Sequence, residues 1–175
     1  MTAGSVENRV LVLGVGNLLL QDDAVGLRLL EMLAAGPPSS GVDFVDGGTR
    51  GLALLECLEG RRAVLILDAI GLGANPGAVH VLRGAAIDAL RARRATTAHE
   101  GNALELLAID RLVSGETREI VVIGVEPGRV ATGIGLTHQV EAALPEAVQR
   151  ARDILQDLRE GAGGWRPAAG RRGGG

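Results

Sequence analysis

At 175 residues the chain is sized for one domain, and 46% apolar residues suffice for one hydrophobic core. All 18 basic residues are Arg and Tyr is absent, which excludes Schiff-base, P-loop and pyridoxal-phosphate chemistry and any tyrosine proton donor. The net charge of −3 hides an acidic body, 15 Arg against 21 acids in residues 1–160, which is unsuited to nucleic acid.

Arg9–Val15 is a near-continuous β-branched and leucine run, the pattern of a strand buried on both faces of a parallel sheet. After the loop GNLLLQDD, the spacing of Val25, Leu29, Leu30 and Leu33 predicts a helix that stops at Gly36-Pro37-Pro38. Val42–Val45 reads as a second strand ending at Asp46-Gly47-Gly48, Leu52–Leu58 as a short helix, and Arg62–Leu67 as a third buried strand ending at Asp68. Past the turn signal Asn75-Pro76-Gly77, a strand is predicted at Ala78–Leu82 and a helix at Asn102–Leu112. Glu119–Val125 is a further buried strand, and Thr137 is the predicted N-cap of a long helix running to about Arg159. This alternation predicts a single α/β domain over residues 1–160, with a mostly parallel twisted sheet between helices. The Gly- and Arg-rich stretch 161–175 is expected to be a disordered tail.

The lone Cys57 can form neither an internal disulfide nor a cysteine zinc site. No basic leader precedes the first apolar stretch, and no run reaches the roughly 18 apolar residues of a membrane span. A soluble, cytoplasmic protein is expected, acting as a monomer with no nucleic-acid or membrane partner.

In an α/β sheet, ligands bind beyond the carboxyl ends of the strands. Asp22 and Asp23 follow the first strand, Asp46 ends the second, Asp68 ends the third, and His99 lies in the loop TTAHEGN. Each has an ordinary explanation: a helix cap for Asp22 or Asp23, a turn former for Asp46 and Asp68, an exposed loop residue for His99. Together they are harder to explain, because converging carboxylates repel and no lysine is present to neutralise them. A cation relieves that repulsion, and oxygen donors with one imidazole suit Zn²⁺, Ni²⁺ or Mn²⁺ better than Ca²⁺ or Mg²⁺. The competing reading is a dinucleotide site at Gly14-Val15-Gly16 with Asp46 as the ribose acid. Against it, Leu19 stands where the third glycine belongs, and Asp22 and Asp23 precede the helix whose N-terminus would meet the pyrophosphate.

The motifs Gly14–Gly26 (GVGNLLLQDDAVG), Asp46–Leu55 (DGGTRGLALL), Val64–Ile70 (VLILDAI), the His99 loop and Gly133–Leu144 (GIGLTHQVEAAL) occur in that order. Over residues 9–158 the chain resembles the nickel-iron hydrogenase maturation endopeptidases. The resemblance implies an enzyme that removes a C-terminal peptide from a NiFe hydrogenase large-subunit precursor once nickel is inserted. It implies Asp23, Asp68 and His99 as nickel-binding residues, with Asp46 a further functional residue; Asp23 and Asp46 are then the candidate catalytic pair. The nickel is expected to belong to the substrate's active centre, and zinc or another divalent ion to be able to take its place in the isolated protein. Asp23 stands where many members have Glu, Ala24 where Gly is frequent, and His138 where the last helix usually has Pro. His138 is read as a surface residue and His80, in mid-strand, as structural. The alternative from another class is a non-catalytic module binding a dinucleotide or the hydrogenase precursor.

Overall fold

The computed structural model describes residues 10–37, 39–94 and 118–161. His99, the predicted helix Asn102–Leu112 and residues 162–175 lie outside them. Five strands, β1 (Val10–Val15), β2 (Val42–Gly48), β3 (Ala63–Ala69), β4 (Val79–Arg83) and β5 (Glu119–Val125), form one sheet in the order β2-β1-β3-β5-β4. All neighbours pair in parallel except β4, which runs antiparallel to β5 at the edge. The helices among the described residues are α1 (Val25–Ala34), α2 (Leu55–Leu58), α3 (Ala85–Arg94) and α4 (His138–Glu160). Three-ten turns at Gln21–Ala24 and Gly51–Leu54 lead into α1 and α2.

The parity of the strand residues divides the core into two layers. Val10, Val12, Leu65, Leu67, Val121 and Ile123 pack against α1 and α4 on one face. Leu11, Leu13, Val64, Ile66 and Val122 pack on the other face against Leu54, Leu58, Ile87 and Leu90. Burial on both faces is why β1, β3 and β5 read as continuous apolar runs rather than alternating ones. α3 is not foreshadowed by the sequence pattern: among its described side chains Ile87 and Leu90 mark the buried side, and its second half is rich in Arg. α4 continues through Pro145, whose position is exposed, so water can satisfy the carbonyl that the missing N–H leaves. No helix of the described residues is long and apolar enough to cross a membrane.

Strand order reverses between β1 and β3, because β1 is followed by β2 on one side while the chain returns to β3 on the other. This is the switch point where open α/β sheets bind ligands. Here the backbone packs too closely for side chains. A Cβ on Gly26, in the first turn of α1, would lie 2.2 Å from Leu67 O and 2.3 Å from Val15 O. A Cβ on Gly16 would lie 1.9 Å from Asp23 O, at a φ of +139°. Glycine at these positions therefore seats α1 and the first loop on the strand ends. Phosphate binding is not needed to explain it.

Candidate active site at the carboxyl end of the sheet

Asp22 and Asp23 are adjacent yet differ in surroundings. Gln21, just before them, adopts a positive φ of 50°, costly for a non-glycine residue, and turns the chain into the three-ten turn. Asp22 is fully buried. Its Oδ2 accepts Gly128 N–H, Arg129 N–H and Thr137 Oγ1–H, each at 2.8 Å, and its Oδ1 accepts Thr137 N–H at 2.6 Å. Burial would raise its pKa, but the hydrogen bonds from Thr137, Arg129 and Gly128 outweigh it and hold the carboxyl below its ordinary value. Asp22 thus ties the first loop to the β5–α4 connection, more than 100 residues away in sequence.

Asp23 is half-buried, and its Oδ2 accepts Asn17 N–H at 2.8 Å. Neither aspartate caps α1, whose N-cap is Ala24 with no side-chain bond. Thr137 does stand at the N-cap of α4 with extended φ/ψ, but its hydroxyl serves Asp22 and makes no side-chain cap bond. The expected position is right and the expected bond is replaced, because the buried carboxylate is the stronger acceptor.

Asp68 ends β3, is 5% exposed, and its Oδ1 accepts Ala69 N–H at 2.8 Å. Asp46 is exposed near the end of β2, in register with Gly14 of β1. Gly14 in turn pairs with Leu67, one residue before Asp68. Pleat alternation therefore directs Asp46 and Asp68 to opposite faces of the same sheet edge, so they can approach only around the strand ends. The register skips Gly47 in a bulge: Gly14 pairs with Asp46 and Val15 with Gly48. A Cβ on Gly47 would lie 2.9 Å from Gly14 O, and Gly48 takes φ +48°, so both glycines serve one fixed shape.

One acid was not singled out from the sequence. Glu126, just past β5, is 5% exposed and accepts Leu72 N–H at 2.8 Å and Gly73 N–H at 3.0 Å, with His80 Nε2 at 3.0 Å. Burial opposes its charge, but the bonds from Leu72, His80, Gly73 and Ala74 prevail and lower its pKa. His80 is in mid-strand as expected, and this contact gives it a structural partner. No local pattern marks Glu126, because its partners lie 46 to 54 residues away.

The model of the family described as hydrogenase maturation protease matches residues 27–154. The chain belongs to the hydrogenase maturation proteases. It is 36% identical to the hydrogenase 2 maturation protease of Escherichia coli strain K12 over 155 residues, 87% of this chain and 92% of that one. It is 30% identical to the hydrogenase expression/formation protein HoxM of Cupriavidus necator, over 84% of this chain and 74% of the relative. The fold superposes on the E. coli hydrogenase maturating endopeptidase HybD with a TM-score of 0.74 at 33% identity, covering 85% of this chain and 93% of HybD. The protease's matched span includes Asp46, Asp68 and His99 and begins four residues past Asp23. Membership places the chain among the peptidases, and the close backbone contacts of Gly16 and Gly26 account for the glycines of the first loop without a dinucleotide.

Proposed function

We propose that this protease removes the C-terminal extension of the large-subunit precursor of a NiFe hydrogenase after nickel has entered that subunit. The observation that carries the reading is the meeting of family membership with a set of carboxylates, Asp23, Asp46 and Asp68, around the β1/β3 switch point. Asp23, Asp68 and His99 take the substrate's nickel in this account, which makes the ion a checkpoint for a loaded precursor. Two carboxylates and a neutral imidazole suit Ni²⁺, and zinc would fit the same donors. Among the described residues no three His, Cys, Asp or Glu side chains are grouped as a cation site, so the set depends on His99. Asp46 orients the peptide or takes the proton of the attacking water; its exposure leaves it open to substrate, and its direction on the other sheet face separates its role from that of Asp68. A monomeric, cytoplasmic enzyme is part of this reading, and the single cysteine, which can form no internal disulfide, supports a reducing compartment.

The test is incubation of the purified protein with nickel-loaded and nickel-free precursor, with the products weighed by mass spectrometry. Loss of a C-terminal peptide from the loaded form alone is expected. A precursor that binds but keeps its full mass would favour the non-catalytic binding module.

A further inference from the structure

Single exposed aliphatic side chains are ordinary, but several fixed in one place mark a contact surface. Five large hydrophobic residues are prominently exposed among the described residues, and four of them, Leu18, Leu19, Val130 and Ile134, sit on two loops joined to one another. Ile134 is 86% exposed and Leu19 61%. Leu20 bridges Gly133 in parallel, Gly133 N–H donates to Leu19 O at 2.9 Å, and Gln21 N–H donates to Gly133 O at 3.1 Å. Asp22 N–H donates to Arg129 O at 3.2 Å, and the Asp22 carboxylate holds Gly128 and Arg129 in return. Leu19 N–H is itself held by Asn17 Oδ1 at 2.9 Å. The aliphatic ledge therefore stands on backbone that needs little further ordering on binding. It is also continuous with the carboxylate rim: Leu18 and Leu19 precede Asp23 on one loop, and Asn17 N–H holds the Asp23 carboxylate.

We infer that this ledge binds an extended aliphatic stretch of the protein substrate beside the bond that is cut. The inference rests on the peptidase reading above. A chain held at Asp23 that leaves the rim along the Leu18–Leu19 loop brings the side chains within about six residues of the bond over the ledge, at roughly 3.3–3.6 Å per extended residue. Aliphatic partners are specified because Leu18, Leu19, Val130 and Ile134 offer apolar area and no hydrogen-bonding group.

The test is a Leu18→Ser, Ile134→Ser double variant assayed on nickel-loaded precursor. KM should rise about tenfold or more while kcat stays within about twofold of wild type, with the melting temperature unchanged. Serine in place of the precursor's aliphatic residues within about six positions of the cut should raise the wild-type KM similarly and add little in the double variant. An unchanged KM overturns the inference. So does a wild-type dimer that the double substitution abolishes without a change in KM, which would assign the ledge to a second copy. A fall of several degrees in melting temperature also overturns it, by assigning the ledge to another segment of the same chain. If the wild type leaves loaded precursor uncut, the functional reading fails, and precursor affinity of wild type against double variant, measured by calorimetry, decides the ledge separately.

Discussion

Asp22 and Glu126, which follow β1 and β5 at the sheet's carboxyl end, are buried and enclosed by donors; the neighbouring Asp23 and Asp46 are not. The four acids share one end of one sheet. What separates them is how far their oxygens are satisfied within the protein. A carboxylate with its lone pairs filled by backbone N–H groups holds loops together and has little left for a ligand. One that keeps solvent access and few internal bonds remains open to substrate. Charge at a strand end therefore does not by itself identify a functional residue; among these four acids, internal donors separate the enclosed Asp22 and Glu126 from the open Asp23 and Asp46.

The largest expected effect that would sharpen this contrast is on processing. Asp68→Asn keeps the Ala69 N–H acceptor but removes the charge, and the rate of cleavage of nickel-loaded precursor should fall by roughly a hundredfold or more while the protein stays folded. A wild-type rate would make Asp68 a turn former, a role asparagine fills equally well.

Next in size is a stability effect at the enclosed site. Asp22→Asn sets an amide donor against at least one of the N–H groups of Gly128, Arg129 and Thr137, and denaturant unfolding should show a loss of about 2–4 kcal/mol. The pH dependence follows from the same bonds. The folded pKa values of Asp22 and Glu126 are lowered, so their stabilisation is fully present above the unfolded carboxylate pKa of about 4. It is lost as pH falls through that value toward the folded ones. Melting temperatures measured down to about pH 2.5 should fall less steeply for Asp22→Asn than for wild type. Equal slopes would contradict the role given to Asp22.

The smallest effect belongs to charges on the surface of α4. The Arg150–Glu146 pair at 2.7 Å joins two side chains that are each about half exposed, and Glu146→Gln should change stability by no more than about 0.5 kcal/mol. A larger loss would show that exposed ion pairs also carry the scaffold.

Much of the architecture was legible because buried parallel strands leave a local signature. Val10–Val15, Ala63–Ala69 and Glu119–Val125 needed no tertiary information, and Gly36-Pro37-Pro38 marked the end of α1. The strand order did not follow from the pattern, since pairing is decided between segments far apart. The candidate acids Asp23, Asp46 and Asp68 were legible as strand-end residues, but the opposite facing of Asp46 and Asp68 depends on register. Thr137 illustrates the limit well: its helix-start geometry is local, while its hydroxyl partner, Asp22, lies 115 residues away. Glu126 was hidden for the same reason, as was its contact with His80, whose mid-strand place was legible, and α3 because two buried side chains make too short a pattern.

The claim that adjacent aspartates divide scaffold from function is tested most directly at Asp23. The measurement is the rate of precursor processing per folded molecule for Asp23→Asn, taken with its melting temperature. Asparagine can still accept Asn17 N–H, so the melting temperature should stay within about 3 °C of wild type, while processing falls by roughly a hundredfold or more. A variant that melts several degrees lower yet cleaves at the wild-type rate would make Asp23 a scaffold residue like Asp22 and contradict the account.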